Sequence, residues 1–295
     1  MGVLATALLL TACGNDEPTA SDPTPTAPAS PSSRPATPSD TASAPTPSDS
    51  SEPARVAAPV YFTGKTPVGT RLYREFRQVE ADNPVDEALA LLTAGDADDP
   101  DYSTLLPEGK LAEISHDEAF LIALPDESWT TRPTGMSAQE ARLALQQIVY
   151  TVQGVMQKGI PLQFYLDDKP VDIFGIPTPT KTQGYQAAKQ LDVLALVNVT
   201  QPQQNSQPGD HFTASGVASS FEATVPWEVR DESGKVVLSG SATAEGWTDK
   251  LYPWQTDVDA SGLPPGQYTF VAKTDDPSDG EGKGPTEDSK LFTLN

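Results

Sequence analysis

Cysteine and histidine, versatile in covalent and metal chemistry, are scarce in this chain: its 295 residues include one cysteine, Cys13, and two histidines, His116 and His211. A single thiol excludes an internal disulfide framework and a multi-cysteine zinc site, and two distant histidines exclude the His-Glu-x-x-His metal helix. His116 precedes Asp117 and Glu118, and His211 lies between Asp210 and Phe212. No Gly-x-Ser-x-Gly elbow accompanies either, so both read as surface or hairpin-end histidines. Paired carboxylates cleave glycosides, but 41 acidic residues make chance pairs inevitable. No catalytic residue, metal or cofactor is therefore expected.

Two acidic clusters and one aromatic cluster stand out as candidate binding features. Asp96, Asp98, Asp99 and Asp101 are closely spaced, but no glycine stands sixth in a calcium-loop frame and Pro107 takes the place of the bidentate glutamate. A solvated loop is the simpler expectation. Asp275, Asp276, Asp279 and Glu281 surround a glycine-containing turn that would gather carboxylates, although an ordinary exposed hairpin is the favoured expectation. Trp247, Tyr252 and Trp254 fall within eight residues, beside Gly246 and Pro253. Exposed, they would stack on sugar; turned inward, they would fill a core as Trp227 is expected to do. The net charge of −22 opposes contact with nucleic acid or an anionic lipid surface.

The elements that must position these residues begin with an apolar run, Val3 to Leu10, broken only by Thr6. It is too short to span a bilayer but suits a secretory signal. Leu10-Thr11-Ala12-Cys13 resembles the bacterial lipobox. That resemblance implies a signal peptide at 1–12 and acyl chains such as palmitate on Cys13, holding the protein to the extracellular face of the cell membrane. Two chains suffice for lasting attachment. No Lys or Arg precedes the run, a departure that points to a start further upstream.

Residues 13–58 follow as the lipidated N-terminus and a tether. From Gly14 to Ala58 there are 10 prolines, 15 serines or threonines and 9 alanines. Such a segment buries too little surface to offset the entropy of ordering, so a disordered Pro/Ser/Thr/Ala tether is expected. It would reach about 140 Å extended and about 40 Å as a coil.

Residues 59–183 read as one domain. Pro59 to Gly64 and Arg71 to Val79 are expected strands. Asn83 and Pro84 open a helix whose Val85, Ala88, Leu89 and Leu92 share a face, and Gly95 ends it. Leu111 to Ser115 and Ala119 to Leu124 are further strands. Ser137 and Glu140 form a capping box for a helix burying Leu145, Ile148, Val149, Val152 and Met156, and Leu162 to Asp167 alternates as a strand. The order β-β-α-β-β-α-β describes an α+β domain with two helices on one face of a mostly antiparallel sheet. Val60-Tyr61-Phe62, Leu72-Tyr73-Arg74-Glu75, Asp99-Pro100-Asp101-Tyr102, Leu106-Pro107-Glu108-Gly109 and Gln146 to Thr151 resemble the GerM-type (GerMN) sporulation and spore-germination domain. The resemblance implies envelope-associated assembly or binding and transfers no catalytic residue.

Residues 189–295 alternate as strands: Val193 to Val199, Phe221 to Val229 and Trp254 to Val258, then Tyr268 to Ala272 and Phe292 with Leu294. Pro226 favours an edge or bulge position, and Asp231-Glu232-Ser233-Gly234 is a hairpin turn. An all-β immunoglobulin-like sandwich without its disulfide is expected. Gly216 to Glu245 and the Asp276 to Gly282 turn resemble the immunoglobulin-like domain that accompanies GerM-type domains in spore-germination-like lipoproteins. Together these resemblances imply a non-enzymatic binding or assembly factor of the cell envelope, with an envelope protein or cell-wall polymer as partner. A carbohydrate- or peptidoglycan-binding module and a cell-wall polymer hydrolase are the alternatives.

Overall fold

The computed structural model describes residues 53–115, 117–179, 183–275 and 282–295. Cys13, the signal segment and the tether through residue 52 lie outside the described residues, as do His116, Asp276, Asp279 and Glu281.

The first strand, β1 (Arg55–Thr66), pairs antiparallel with β2 (Gly69–Glu80) along its full length, from Arg55 opposite Glu80 to Thr66 opposite Gly69. It begins four residues inside the segment expected to be tether. Ala54, Ala57 and Ala58 carry little hydrophobic signal in sequence, and their order comes from pairing with β2, which leaves Ala58 fully buried.

Helix α1 (Pro84–Ala94) has the expected buried face of Val85, Ala88, Leu89 and Leu92 and ends at Gly95 in the left-handed region. Asn83 does not cap it; its amide donates to Asp86 instead. Helix α2 (Ala138–Met156) carries the complete capping box: Ser137 Oγ accepts from the Glu140 amide at 3.1 Å and Glu140 Oε2 from the Ser137 amide at 2.8 Å. Both helices pack on β1 and on each other.

One expected sheet is in fact two. Strands β3 (Ala112–Ser115), β4 (Phe120–Ala123), β5 (Leu162–Leu166) and β6 (Lys169–Val171) form a four-stranded sheet in that order, while β1 and β2 stand apart as a ribbon. Helix α2 lies between β4 and β5 in the chain, and a crossover of that kind sets the two strands parallel.

The second half begins with a short helix, α3 (Gln190–Val193), which takes Val193 out of the expected first strand. Strands β7 (Val197–Gln201), β8 (His211–Ala218), β9 (Thr224–Asp231), β10 (Val236–Ala244), β11 (Tyr252–Asp259), β12 (Gly266–Lys273) and β13 (Glu287–Leu294) follow. Among the described residues they connect as β13-β12-β9-β10-β11-β8-β7. The link between β10 and β11 is two residue pairs long, Thr243 with Gln255 and Ala244 with Trp254. The sheet turns over at that corner and closes on its own core. Trp254 of β11 stacks 6.5 Å from Phe270 of β12, and Phe212 of β8 meets Phe292 of β13 edge-on at 5.3 Å.

Pro226 lies on β9, a central strand, but β12 pairs with β9 only as far as Trp227. The missing amide donor therefore falls where β9 has one neighbour, so the edge constraint is met locally. Phe221 departs from its expected core position: Glu222 and Ala223 adopt φ of 50° and 61°, and Phe221 is left exposed.

Candidate functional site

The acidic loop after α1 reaches across to the second domain. On β2, the Arg77 guanidinium faces Asp98 at 3.2 Å, Asp96 at 3.4 Å and Glu75 at 3.7 Å. The Glu75 carboxylate accepts from the backbone amides of Asp98 at 3.0 Å and Asp99 at 2.8 Å. Burial raises its pKa against the pull of those two amides. Asp99 Oδ1 accepts from the Asp101 amide at 3.0 Å, which turns Oδ2 toward the other domain. Asp96, Asp98 and Asp101 are exposed, as a solvated loop requires, but Asp99 departs from that expectation: it is 3% exposed and pairs with a lysine of the other domain.

The cation opposite Asp99 is Lys290 of β13. Its Nζ donates to Asp99 Oδ2 at 2.6 Å, to Tyr102 Oη at 2.7 Å and to Asp288 Oδ1 at 3.3 Å. Tyr102 Oη donates onward to Asp288 Oδ1 at 2.6 Å. Asp288 Oδ2 accepts from Asn198 Nδ2 at 3.0 Å and the Val199 amide at 2.5 Å. Burial lowers the Lys290 pKa, but Asp288 and Asp99 outweigh it and hold the ammonium charged. Burial pushes Asp288 up against the opposing pull of Lys290. Burial, with Asp288 and Asp99, raises Tyr102 well above the phenol range, so its hydroxyl stays a donor.

Around this centre Tyr73 stacks on Tyr102 at 4.9 Å and donates to the Glu287 carbonyl, and Arg74 donates to Thr200 Oγ1 at 3.2 Å. An apolar seam completes the joint. Leu72, Leu143, Tyr150 and Leu194 form a small core there, and the Ala195 amide donates to the Leu72 carbonyl at 2.9 Å. The two domains meet through a buried polar cluster flanked by apolar packing.

Beside this joint runs a groove of about 1020 Å³. One wall is Thr63 to Lys65 with Pro100 to Ser103, and the other is Arg230 to Glu232, Gln267 to Thr269 and Glu287 to Ser289. Arg230 is held by Glu228 at 2.8 Å, and Lys273 also donates to Glu228 at 2.6 Å. The groove offers hydroxyls, amides and both signs of charge beside the apolar surfaces of Tyr73, Leu105, Tyr268 and Val271. Among the described residues no group of three or more His, Cys, Asp or Glu is placed to hold a metal ion. Nor is any helix among them long and apolar enough to cross a membrane.

The three aromatic candidates separate. Trp254 is 3% exposed in the sandwich core, where no ligand reaches it, so it forms no coplanar pair with Trp247. Tyr252 is half-buried and donates to Asp249 Oδ1 at 2.5 Å. Trp247 is exposed, and its aromatic neighbour is Phe221. His211 is exposed at the start of β8, 3.4 Å from Asp259. Sequence reasoning missed the Asp99–Tyr102–Asp288–Lys290 cluster. A signal for it exists: Asp288, Lys290, Phe292 and Leu294 alternate on one buried face of β13, two charges in line with two core residues.

Residues 59–172 match the family model described as sporulation and spore germination, and residues 196–281 match the immunoglobulin-like domain of bacterial spore germination. Each match covers one of the two folded domains and less than half of the chain. Among solved structures, the chain is similar to the tandem GerMN domains of the sporulation protein GerM from Bacillus subtilis. Identity is 10% over 70% of this chain and 62% of that one, with a TM-score of 0.33. The chain thus spans less than two thirds of that relative. It is also similar to the endo-beta-1,4-mannanase from Thermotoga petrophila, at 11% identity over 56% of this chain and 37% of that one, with a TM-score of 0.27. No curated protein matches the chain.

Proposed function

We propose that this protein is an extracellular lipoprotein, anchored to the cell membrane through acyl chains on Cys13, that acts as a non-enzymatic binding or assembly factor in the cell envelope. The observation that carries the reading is the buried joint. Asp99, Tyr102, Asp288 and Lys290 hold two spore-germination-type domains against one another and leave a groove of mixed polar and apolar lining along the seam. A preformed groove lowers the ordering cost of binding an extended partner. The described carboxylates whose proton affinity is raised, Glu75 and Asp288, are engaged by backbone amides, Lys290 and Tyr102, which supports binding over hydrolysis. The lipobox-like Leu10 to Cys13 and the tether of the sequence supply the anchor and the reach.

Two experiments test the reading. Cys13→Ala should move the protein from the membrane fraction to the medium, and retention at the membrane would refute the anchor. In intact cells, crosslinking to an envelope partner should be lost when Thr269→Arg and Lys65→Glu block the groove from both walls. Unchanged crosslinking would refute the groove.

A further inference from the structure

Six large apolar side chains are exposed among the described residues, and the two aromatic ones, Phe221 and Trp247, touch each other. Each is 39% exposed, with ring centroids 5.2 Å apart and planes at 74°. One ring stands against the other as a wall against a platform.

The backbone holds both rings in place. Phe221 is turned outward by Glu222 and Ala223, two consecutive non-glycine residues at φ of 50° and 61°. Left-handed conformations of this kind persist only where the surroundings fix them. Here the Ser220 hydroxyl donates to the Thr224 carbonyl and accepts from the Asp275 amide at 2.7 Å. Trp247 sits on a loop anchored by the Ser219 hydroxyl, which donates to the Trp247 carbonyl. A Cβ at Gly246 would stand 2.7 Å from the Tyr252 ring, so glycine lets that ring brace the loop from behind.

The geometry points to a glycan-binding subsite at Phe221 and Trp247, taking an uncharged sugar unit of a cell-wall polymer. This deepens the binding reading above and rests on its envelope setting, but uses a surface separate from the groove. Two rings at this exposure offer on the order of 150 Å² of apolar area, far below the roughly 800 Å² per partner of a stable protein interface. Their sequence neighbours Glu222, Thr248 and Asp249 are all exposed and supply hydroxyl-accepting groups. A pyranose presents an apolar C–H face to a ring and hydroxyls to its rim. The chain's charge of −22 disfavours an anionic polymer.

The test titrates the full chain with a β-1,4-linked N-acetylglucosamine hexamer and, separately, a neutral glucan hexamer. Trp129, Trp227 and Trp254 are buried, so Trp247 dominates any change in solvent-sensitive emission. A saturable blue shift with at least one sugar is expected. By calorimetry, Trp247→Ala should abolish binding and Phe221→Ala should weaken it at least tenfold, while Trp247→Phe retains part of it and melting temperatures stay unchanged. Thr269→Arg in the groove should leave sugar binding intact, which separates failure of this site from failure of the groove. No saturable response to either sugar, binding that survives Trp247→Ala, or Trp247-dependent dimerisation by sedimentation would overturn the assignment.

Discussion

Lys290 Nζ lies 2.6 Å from Asp99 Oδ2 across 191 residues of chain, and each residue is 3% exposed. A buried ion of one domain is thereby neutralised by a residue of the other. Undocking the domains would expose the partners to water, but removing one partner leaves an uncompensated charge inside. Lys290→Met should cost about 3–5 kcal/mol because Asp99 and Asp288 then remain buried without their cation. Calorimetry should show a melting temperature lower by about 10 °C. Adding Asp99→Asn and Asp288→Asn to that variant should restore part of the loss, since the uncompensated charges are then gone.

Tyr102→Phe tests the relay between Lys290 and Asp288. The hydroxyl accepts from one and donates to the other, so its loss should cost about 2 kcal/mol. The effect should concentrate at the joint. Hydrogen exchange at the Ala195 amide, which bonds to the Leu72 carbonyl, should quicken more than exchange in the core of α2. Uniform acceleration throughout the chain would contradict a local role.

Gly216→Ala should destabilise the second domain by about 3 kcal/mol. A Cβ there would stand 2.0 Å from the Asn198 carbonyl oxygen and 2.9 Å from the Trp254 ring. The clash is with backbone and core together, and Asn198 also holds Asp288, so chemical denaturation should register loss of both packing and docking. An unchanged unfolding midpoint would show that β7 and β8 separate freely at this point.

Glu228 gives a pH dependence. The hydrogen bond from Lys273 lowers its pKa from 4.5, aided by Arg230 against partial desolvation. A carboxylate with a depressed folded value adds stability above its unfolded pKa and loses it as pH falls through the folded value. Melting temperature should therefore drop as pH falls from about 5 toward 2. Glu228→Gln should flatten that limb, with a loss of about 1 kcal/mol at neutral pH after solvent screening.

Local elements were readable wherever neighbours in sequence decide them. The Ser137–Glu140 box needs two side chains three residues apart, and the α1 face needs one helical period, so both follow from spacing. Phe221 was misplaced, and Trp254 left between core and surface, for the opposite reason. Alternation placed Phe221 inside until two left-handed residues broke the strand, and proximity joined Trp254 to Trp247 although β11 turns Trp254 toward Phe270.

The sequence by itself determined the domain order, most of the helices and strands, the second domain's all-β character and the scarcity of cysteine and histidine, since these depend on composition and short-range periodicity. Tertiary structure alone decided how the domains are joined. Asp99 and Lys290 carry no mutual signal across such a separation, and their pairing exists only because folding removes both from water and leaves Lys290 as the cation that Asp99 shares with Asp288.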